Sequence, residues 1–285
     1  MEIKSSFTEE TYVQAVHRAL KYIKKGDIYQ VNLSQQFVWD GTGYPGKIDA
    51  LELYKSLRRL SPSHFGGYFD CGDFQIISSS PERFLSLDNR IVETRPMKGT
   101  RARGKTPKED DELREDLLLS PKERAELLMI TDLERNDLGR VCEYGSIHVK
   151  AERTLEQYET VFQTTATIEG RLREDKDCFD LLEACFPGGS VTGCPKIRAM
   201  EIIEELEPAR RGIYTGAMGY VSFSGRMDFN VLIRTLWVRQ KKVYFYAGGG
   251  IVSDSIAQDE YEEILVKAKA MRRCLEQCVG WWGKK

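Results

Sequence analysis

Two pairs of glutamates have a spacing that can do chemistry. Glu123 and Glu126 lie three residues apart in one stretch with a helical pattern, and Glu260 and Glu263 repeat the spacing in another. That spacing puts both carboxylates of a pair on one helix face, where like charges are unfavourable unless a cation offsets them. Two such faces meeting across a cleft can hold a hard divalent ion, some carboxylates directly and others through water. The same pairs can equally be solvated faces in a chain with 44 acidic residues.

Other residues carry similar double readings. Lys98, in Arg95-Pro96-Met97-Lys98-Gly99-Thr100, is either a surface lysine or a nucleophile whose neutral amine is favoured by the nearby cations Arg95 and Arg101. Glu82, in Ser80-Pro81-Glu82-Arg83-Phe84, is a general acid or the partner of Arg83. Arg234 ends the apolar run Asp228–Arg234, so its guanidinium needs a structural carboxylate or an anionic ligand. Gly248-Gly249-Gly250 is a tight turn or a place where backbone meets an anion. The loop from Pro187 to Gly193 feeds a helix N-terminus, an ordinary joint or an anion site. No dinucleotide-binding glycine motif and no P-loop occurs.

The elements that must position these residues read as follows. Ser6 and Glu9 have capping-box spacing before a helix whose stripe is Val13, Val16, Leu20 and Ile23, stopped at Gly26-Asp27. Residues 28–34 alternate as a strand, with Tyr29, Val31 and Leu33 on one face and Gln30, Asn32 and Ser34 on the other. Strands are predicted near 64–70, 74–79, 83–87 and 90–94, and helices at 108–118, 121–134 and 178–185, with another opening at Pro195. Residues 214–223, 228–238 and 242–248 read as an antiparallel meander that Gly248-Gly249-Gly250 ends, followed by a helix over 257–278. Strands and helices cluster rather than alternate, which predicts an α+β fold with antiparallel sheet.

Composition narrows the function. The 285 residues carry a formal net charge of -2, which argues against nucleic-acid binding, since that affinity comes from neutralised phosphates. No run of about 18 apolar residues suits a membrane span. The first residues resemble neither a signal nor a transit peptide. Seven scattered cysteines with no Cys-x-x-Cys and only three histidines disfavour zinc and suggest reduced thiols in a cytoplasmic protein.

In order along the chain, these segments resemble the chorismate-utilising enzymes, which include the large subunits of anthranilate and aminodeoxychorismate synthases. The matching stretches are Gly26–Ser34, Ser80–Phe84, Arg95–Thr100, Asp132–Arg140, Phe186–Lys196, Tyr214–Tyr220, Ala247–Val252 and Glu260–Glu263. The resemblance implies a single catalytic domain over 1–285, with two antiparallel sheets packed as a sandwich, helices outside and the active site in a central cleft. It implies Mg²⁺ held by Glu126 and Glu263, with Glu123 and Glu260 behind them through water. The substrate would be chorismate, bound by Thr192, Tyr214, Gly216, Arg234, Gly248, Gly249, Gly250 and Lys267. Arg234, Tyr214 and the amides of Gly249 and Gly250 would take its pyruvyl carboxylate.

Two positions choose within the family. Relatives that add water carry a lysine base where this chain has Gln30, so the resemblance implies ammonia as nucleophile. Lysine at position 98 resembles many aminodeoxychorismate synthases, whereas anthranilate synthases have Pro-Ile-Ala-Gly-Thr there. The implied catalytic set is Lys98, Glu82 and Gln30, giving 4-amino-4-deoxychorismate for p-aminobenzoate and folate synthesis. Gln163 replaces a histidine implicated in pyruvate loss, and Leu127 replaces a common histidine beside the metal glutamate. Anthranilate synthase component I is the alternative, and a non-catalytic subunit that only binds an amidotransferase is a third reading. The residues contain no glutaminase, so a separate glutamine amidotransferase subunit is the expected ammonia source. The N-terminal region that helps form a tryptophan pocket in relatives is expected to be missing, and with it tryptophan feedback.

Overall fold

The computed structural model describes residues 2–159 and 161–280. The chain opens with β1 (Ile3–Ser5), α1 (Glu9–Lys25), β2 (Gln30–Asp40), α2 (Ala50–Leu60), β3 (Gly67–Asp70) and β4 (Phe74–Ser78). Next come β5 (Arg83–Asp88), β6 (Ile91–Arg95), β7 (Met97–Ala102), α3 (Pro107–Leu119), α4 (Pro121–Gly139), β8 (His148–Gln157) and β9 (Val161–Arg171). After α5 (Cys178–Cys185) follow β10 (Gly193–Cys194), α6 (Lys196–Leu206), β11 (Ala217–Val221), β12 (Met227–Val231), β13 (Thr235–Arg239), β14 (Lys242–Ile251) and α7 (Ala257–Gly280).

The fold is α+β, with two antiparallel seven-stranded sheets, each in its own compact unit. The first unit holds the residues up to Pro81, Val191–Gly216 and those from Leu232 onward. Its strand order is β1-β2-β14-β13-β4-β3, with β10 also on β2. The odd-numbered side chains of β2, among them Val31, Leu33 and Phe37, join Leu236, Phe245 and Ile77 in a core shared with α1, α2, α6 and α7. The even-numbered face of β2 carries Gln30, Asn32 and Ser34, polar yet buried. The second unit holds Glu82–Ser190 and Ala217–Val231, with order β11-β12-β5-β6-β9-β7 and β8 also on β9.

Local chemistry accounts for most element ends. Thr8, not Ser6, caps α1: its hydroxyl accepts from the Thr11 amide, and the Thr11 hydroxyl accepts from the Thr8 amide. The capping box therefore lies two residues beyond the predicted start and uses two threonines. Gly26 ends α1 at φ 81° as expected. Pro195 is the N-cap residue of α6, not its first helical residue. Helix α4 runs to Gly139, five residues past the predicted end at 134.

Two expectations fail for tertiary reasons. Residues 228–238 are not one strand. β12 pairs with β5 and β11 in the second unit, whereas β13 pairs with β4 and β14 in the first. The chain leaves one sheet for the other at Leu232–Arg234, and Arg234 has φ 48°, a left-handed conformation that no strand interior tolerates. Nor do the three glycines end β14: Gly248, Gly249 and Gly250 pair with Ser34, Leu33 and Asn32 inside the strand.

Candidate active site

Predicted site residues fall in both units. In the second, β7 bulges between Lys98 and Thr100, with Gly99 at φ 77°. Glycine suits this left-handed position, and a Cβ on residue 99 would also press on side-chain ends, 2.8 Å from Leu117 Cδ1 and 2.9 Å from Glu123 Oε2. The bulge turns Lys98 toward α4, where its Nζ lies 3.7 Å from Glu126 Oε2 with the side chain only 12% exposed. Thr164 Oγ1 donates to the Lys98 carbonyl across the ladder at 2.5 Å. Lys98 is therefore not a surface lysine.

The flanking arginines do not act on Lys98 as bare cations. Arg95 is paired with Glu156, and Arg101 with Asp116 at 2.6 Å and Glu123 at 3.1 Å. The proposed electrostatic help from two neighbouring cations is cancelled by three carboxylates, and the group nearest the Lys98 amine that the structure pairs with it is itself an anion.

Glu82 is 4% exposed, and Ser190 Oγ donates to its Oε1 at 2.5 Å. Burial pushes its carboxyl up from 4.5 to about 7, against the opposing pulls of the Ser190 hydrogen bond and the Lys98 charge. Arg83 pairs instead with Glu93 at 2.5 Å and Asp228 at 2.9 Å. A carboxyl raised in this way is suited to the general-acid reading of Glu82. Gln163, also buried, donates from Nε2 to Thr100 Oγ1 at 3.2 Å.

In the first unit, the second glutamate pair sits on the opening turns of α7 against β14. A Cβ on Gly249 would approach Glu260 Oε2 to 3.1 Å and Glu263 Oε1 to 3.7 Å, so the glycine lets these carboxylates pack on the strand. Ser255 Oγ donates to Glu260 at 2.7 Å. Lys267 Nζ lies 2.5 Å from Glu263 Oε1 and donates to the Gly248 carbonyl at 3.1 Å. The nearby Tyr12 hydroxyl is held well above the ordinary phenol range, by burial first and then by Glu260, Glu207 and Glu263. Among the described residues no three His, Cys, Asp or Glu side chains form a cluster; each unit holds one of the two glutamate pairs.

The ladder also sorts the glycine amides. The Asn32 amide donates to the Thr192 carbonyl and the Ser34 amide to Glu207, both away from β14. Alternation then turns Leu33 toward β14, so its partner Gly249 has its amide in the ladder. Gly248 and Gly250 turn theirs to the side that β13 leaves after Phe245, where Lys267 meets the Gly248 carbonyl. The resemblance pointed to Gly249 and Gly250; the register places Gly248 in the outward role instead of Gly249.

A buried ion pair ties this region together. The Glu207 side chain is 3% exposed and accepts from the Ser34 amide and hydroxyl and from Arg211 Nε and Nη2. Arg211 also donates to the carbonyls of Val191 at 2.8 Å and Asn32 at 2.5 Å. Its guanidinium lies 5.7 Å from the ring centroid of Tyr214, which stacks on Tyr246. Thr192, Tyr214 and Gly216 are thus gathered around one clamp, with Thr215 held at φ 62° between them. Arg234 lies where the chain enters β13, its carbonyl accepting from the Ser79 amide. Sequence reasoning missed both Ser190 and this clamp. The signal available was a Glu–Arg pair four apart across Pro208, where no helix can supply the usual surface explanation.

Comparisons with known proteins identify the family. Residues 1–273 match the family model described as chorismate binding enzyme. The chain belongs to this family. Aminodeoxychorismate synthase component 1 of Bacillus subtilis (strain 168) is 44% identical over 270 residues, 95% of this chain and 56% of that protein. Anthranilate synthase component 1 of Aquifex aeolicus (strain VF5) is 46% identical over 273 residues, 96% of this chain and 54% of that protein. The crystal structure of anthranilate synthase component I from Streptococcus pneumoniae TIGR4 superposes with a TM-score of 0.84 at 41% identity, covering 95% of this chain and 59% of that one. As a chorismate-binding family member, the chain spans about half the length of the curated relatives it matches. Among its described residues no helix is long and apolar enough to cross a membrane.

Proposed function

We propose that this chain aminates chorismate at C4 with ammonia, in a Mg²⁺-dependent reaction that yields 4-amino-4-deoxychorismate for p-aminobenzoate and folate synthesis. The observation that carries the reading is Lys98, a largely buried amine on a glycine-made bulge 3.7 Å from Glu126. The buried Glu82, its carboxyl raised to about 7, supports it, as does the Bacillus subtilis relative named aminodeoxychorismate synthase component 1.

In this mechanism the Lys98 ammonium, paired with Glu126 in the structure, first gives a proton to water, and the freed amine attacks C2 of the ring. The two ring double bonds shift, the C4–O bond breaks, and Glu82 gives its proton to the departing hydroxyl, which leaves as water. Ammonia, received beside Gln30, then attacks C4; the double bonds return, the C2–N bond to Lys98 breaks to release the lysine amine, and the proton shed by the new C4 ammonium returns to the Glu82 carboxylate. Glu126 and Glu263, backed by Glu123 and Glu260, are the carboxylates that would hold Mg²⁺; the oxygen donors fit a hard cation. When bound, the ion would neutralise the ring carboxylate of the substrate. Tyr214, Arg234 and the outward amides of β14 bind the pyruvyl carboxylate, and Thr192, Gly216 and Lys267 complete the substrate site. A separate glutamine amidotransferase subunit supplies the ammonia.

The relatives named anthranilate synthase, among them the Aquifex aeolicus protein at 46% identity, support a second reading in which pyruvate is lost and anthranilate forms. Mass spectrometry after incubation with chorismate, ammonia and Mg²⁺ separates the two. A product that keeps the three-carbon side chain is expected; fluorescent anthranilate as main product would overturn the proposal. Lys98→Ala should reduce amination to background, and unchanged turnover would remove the lysine from its covalent role.

A further inference from the structure

Buried polar groups are almost always hydrogen-bonded, and each exception costs stability that something else must justify. On β2, Gln30 is 0% exposed and neither Oε1 nor Nε2 has a partner. Two residues along, Nδ2 of the buried Asn32 also lacks one. Among the described residues three other side chains have one orphaned atom, but each is anchored elsewhere: Gln35 to Ser5, Gln163 to Thr100, and Arg153 to the carbonyls of Leu117 and Leu118.

The strand's period of two puts Gln30 and Asn32 on one face. Across the ladder Asn32 faces Gly250, so no cross-strand side chain reaches its amide. Its backbone is fixed on both polar atoms, the N–H to Thr192 and the carbonyl to Arg211. The fold therefore holds a buried, unpaired donor on a fixed stretch of backbone beside Thr192 and Gly250. A carboxamide NH₂ group only donates, so its complement is an acceptor oxygen. The neighbouring Gln30 offers both a donor and an acceptor, the complement of ammonia, which has N–H bonds and a lone pair.

We infer that Asn32 is a substrate-contacting residue, its Nδ2 donating to an oxygen of the carboxylate held at the Gly248–Gly250 end of β14, while the nucleophile occupies the Gln30 side. This deepens the proposed function and rests on it. Asn32 was legible in the sequence only as one polar residue on a strand face; its orphaned donor assigns it a role.

The test is Asn32→Leu, which keeps the volume and removes the orphaned donor. The melting temperature should hold or rise, because an unsatisfied buried group has gone. The KM for chorismate should rise about 10- to 100-fold, as loss of a hydrogen bond to a charged group predicts, with the KM for ammonia unchanged. A folded variant with wild-type KM for chorismate overturns the inference. So does a fall in melting temperature without a change in KM, which would make Asn32 structural, and so does a rise confined to the KM for ammonia. Should Asn32→Leu fail to fold, Asn32→Ala removes the donor without adding branching and is read the same way. Calorimetric titration with chorismate alone separates the two layers. A wild-type chain that binds none overturns the proposed function, whereas wild type and variant binding it equally overturns only this inference.

Discussion

Replacing Glu82 by glutamine tests how burial tunes the acid in this site. The substitution keeps the side chain's shape and an oxygen for Ser190 Oγ, and removes the titration. The carboxyl is raised from 4.5 to about 7 in the folded chain, with burial as the main cause. The folded state therefore binds more protons than the unfolded state between these values, and stability falls as pH rises. The contribution is fully present below pH 4.5 and is lost as pH climbs through about 7. At roughly 1.4 kcal/mol per pH unit the loss approaches about 3 kcal/mol. For a chain of this size that corresponds to roughly 5–10 °C in melting temperature. Melting curves of wild type and Glu82→Gln at pH 5 and pH 8.5 measure it directly, because subtraction cancels every other titrating group. The glutamine variant should gain on wild type by that amount at the higher pH. In the activity assay it should lose about 10²- to 10⁴-fold in kcat, the usual contribution of a positioned acid, and wild-type kcat should decline above about pH 7. A melting difference that is the same at both pH values, or larger at pH 5, would refute the argument that Glu82 is protonated by burial.

Other perturbations probe separate parts of the structure. Glu126→Gln or Glu263→Gln should abolish the Mg²⁺ dependence together with chorismate turnover; retained metal-stimulated activity, read from a Mg²⁺ titration, would refute their role as ligands. Arg211→Met should lower stability by about 3–5 kcal/mol, because it strands the buried Glu207 carboxylate, and denaturant unfolding with no loss would show that the clamp is not needed. Lys241→Gly should raise the melting temperature slightly, by about 1 kcal/mol of stability. Gln240 and Lys241 form the two-residue β13–β14 turn at φ 48° and 63°, a conformation in which glycine is at ease; a destabilised glycine variant would contradict this.

Much of the local structure was legible because single segments decide it. The stripe of α1, its Gly26 stop and the span of α5 all follow from residues within a few positions of one another. Long charged strands were harder: β8 alternates Val149, Ala151 and Leu155 with Lys150, Glu152 and Thr154, and its period is masked by its polarity. The break between β12 and β13 was invisible, because Val231 through Thr235 have strand-forming side chains and only the choice of sheet forces Arg234 into a left-handed bend.

The candidate site divides the same way. Residue types and short spacings marked both glutamate pairs, Lys98, Glu82 and the glycine triplet, because helix and strand periods alone place such side chains on a common face. Which groups neutralise them was decided in three dimensions. Arg95 and Arg101 find carboxylates rather than Lys98, Arg83 finds Asp228 and Glu93 rather than Glu82, and Ser190 reaches Glu82 from 108 residues away. Charge, burial and hydrogen bonding depend on separation in space, which linear order constrains only within an element. The sequence by itself determined the chemical inventory, the family and most helices and strands; only the tertiary structure decided that burial raises the Glu82 carboxyl, that the Gly249 amide lies in the ladder, and that carboxamide atoms of Gln30 and Asn32 on β2 are left without partners.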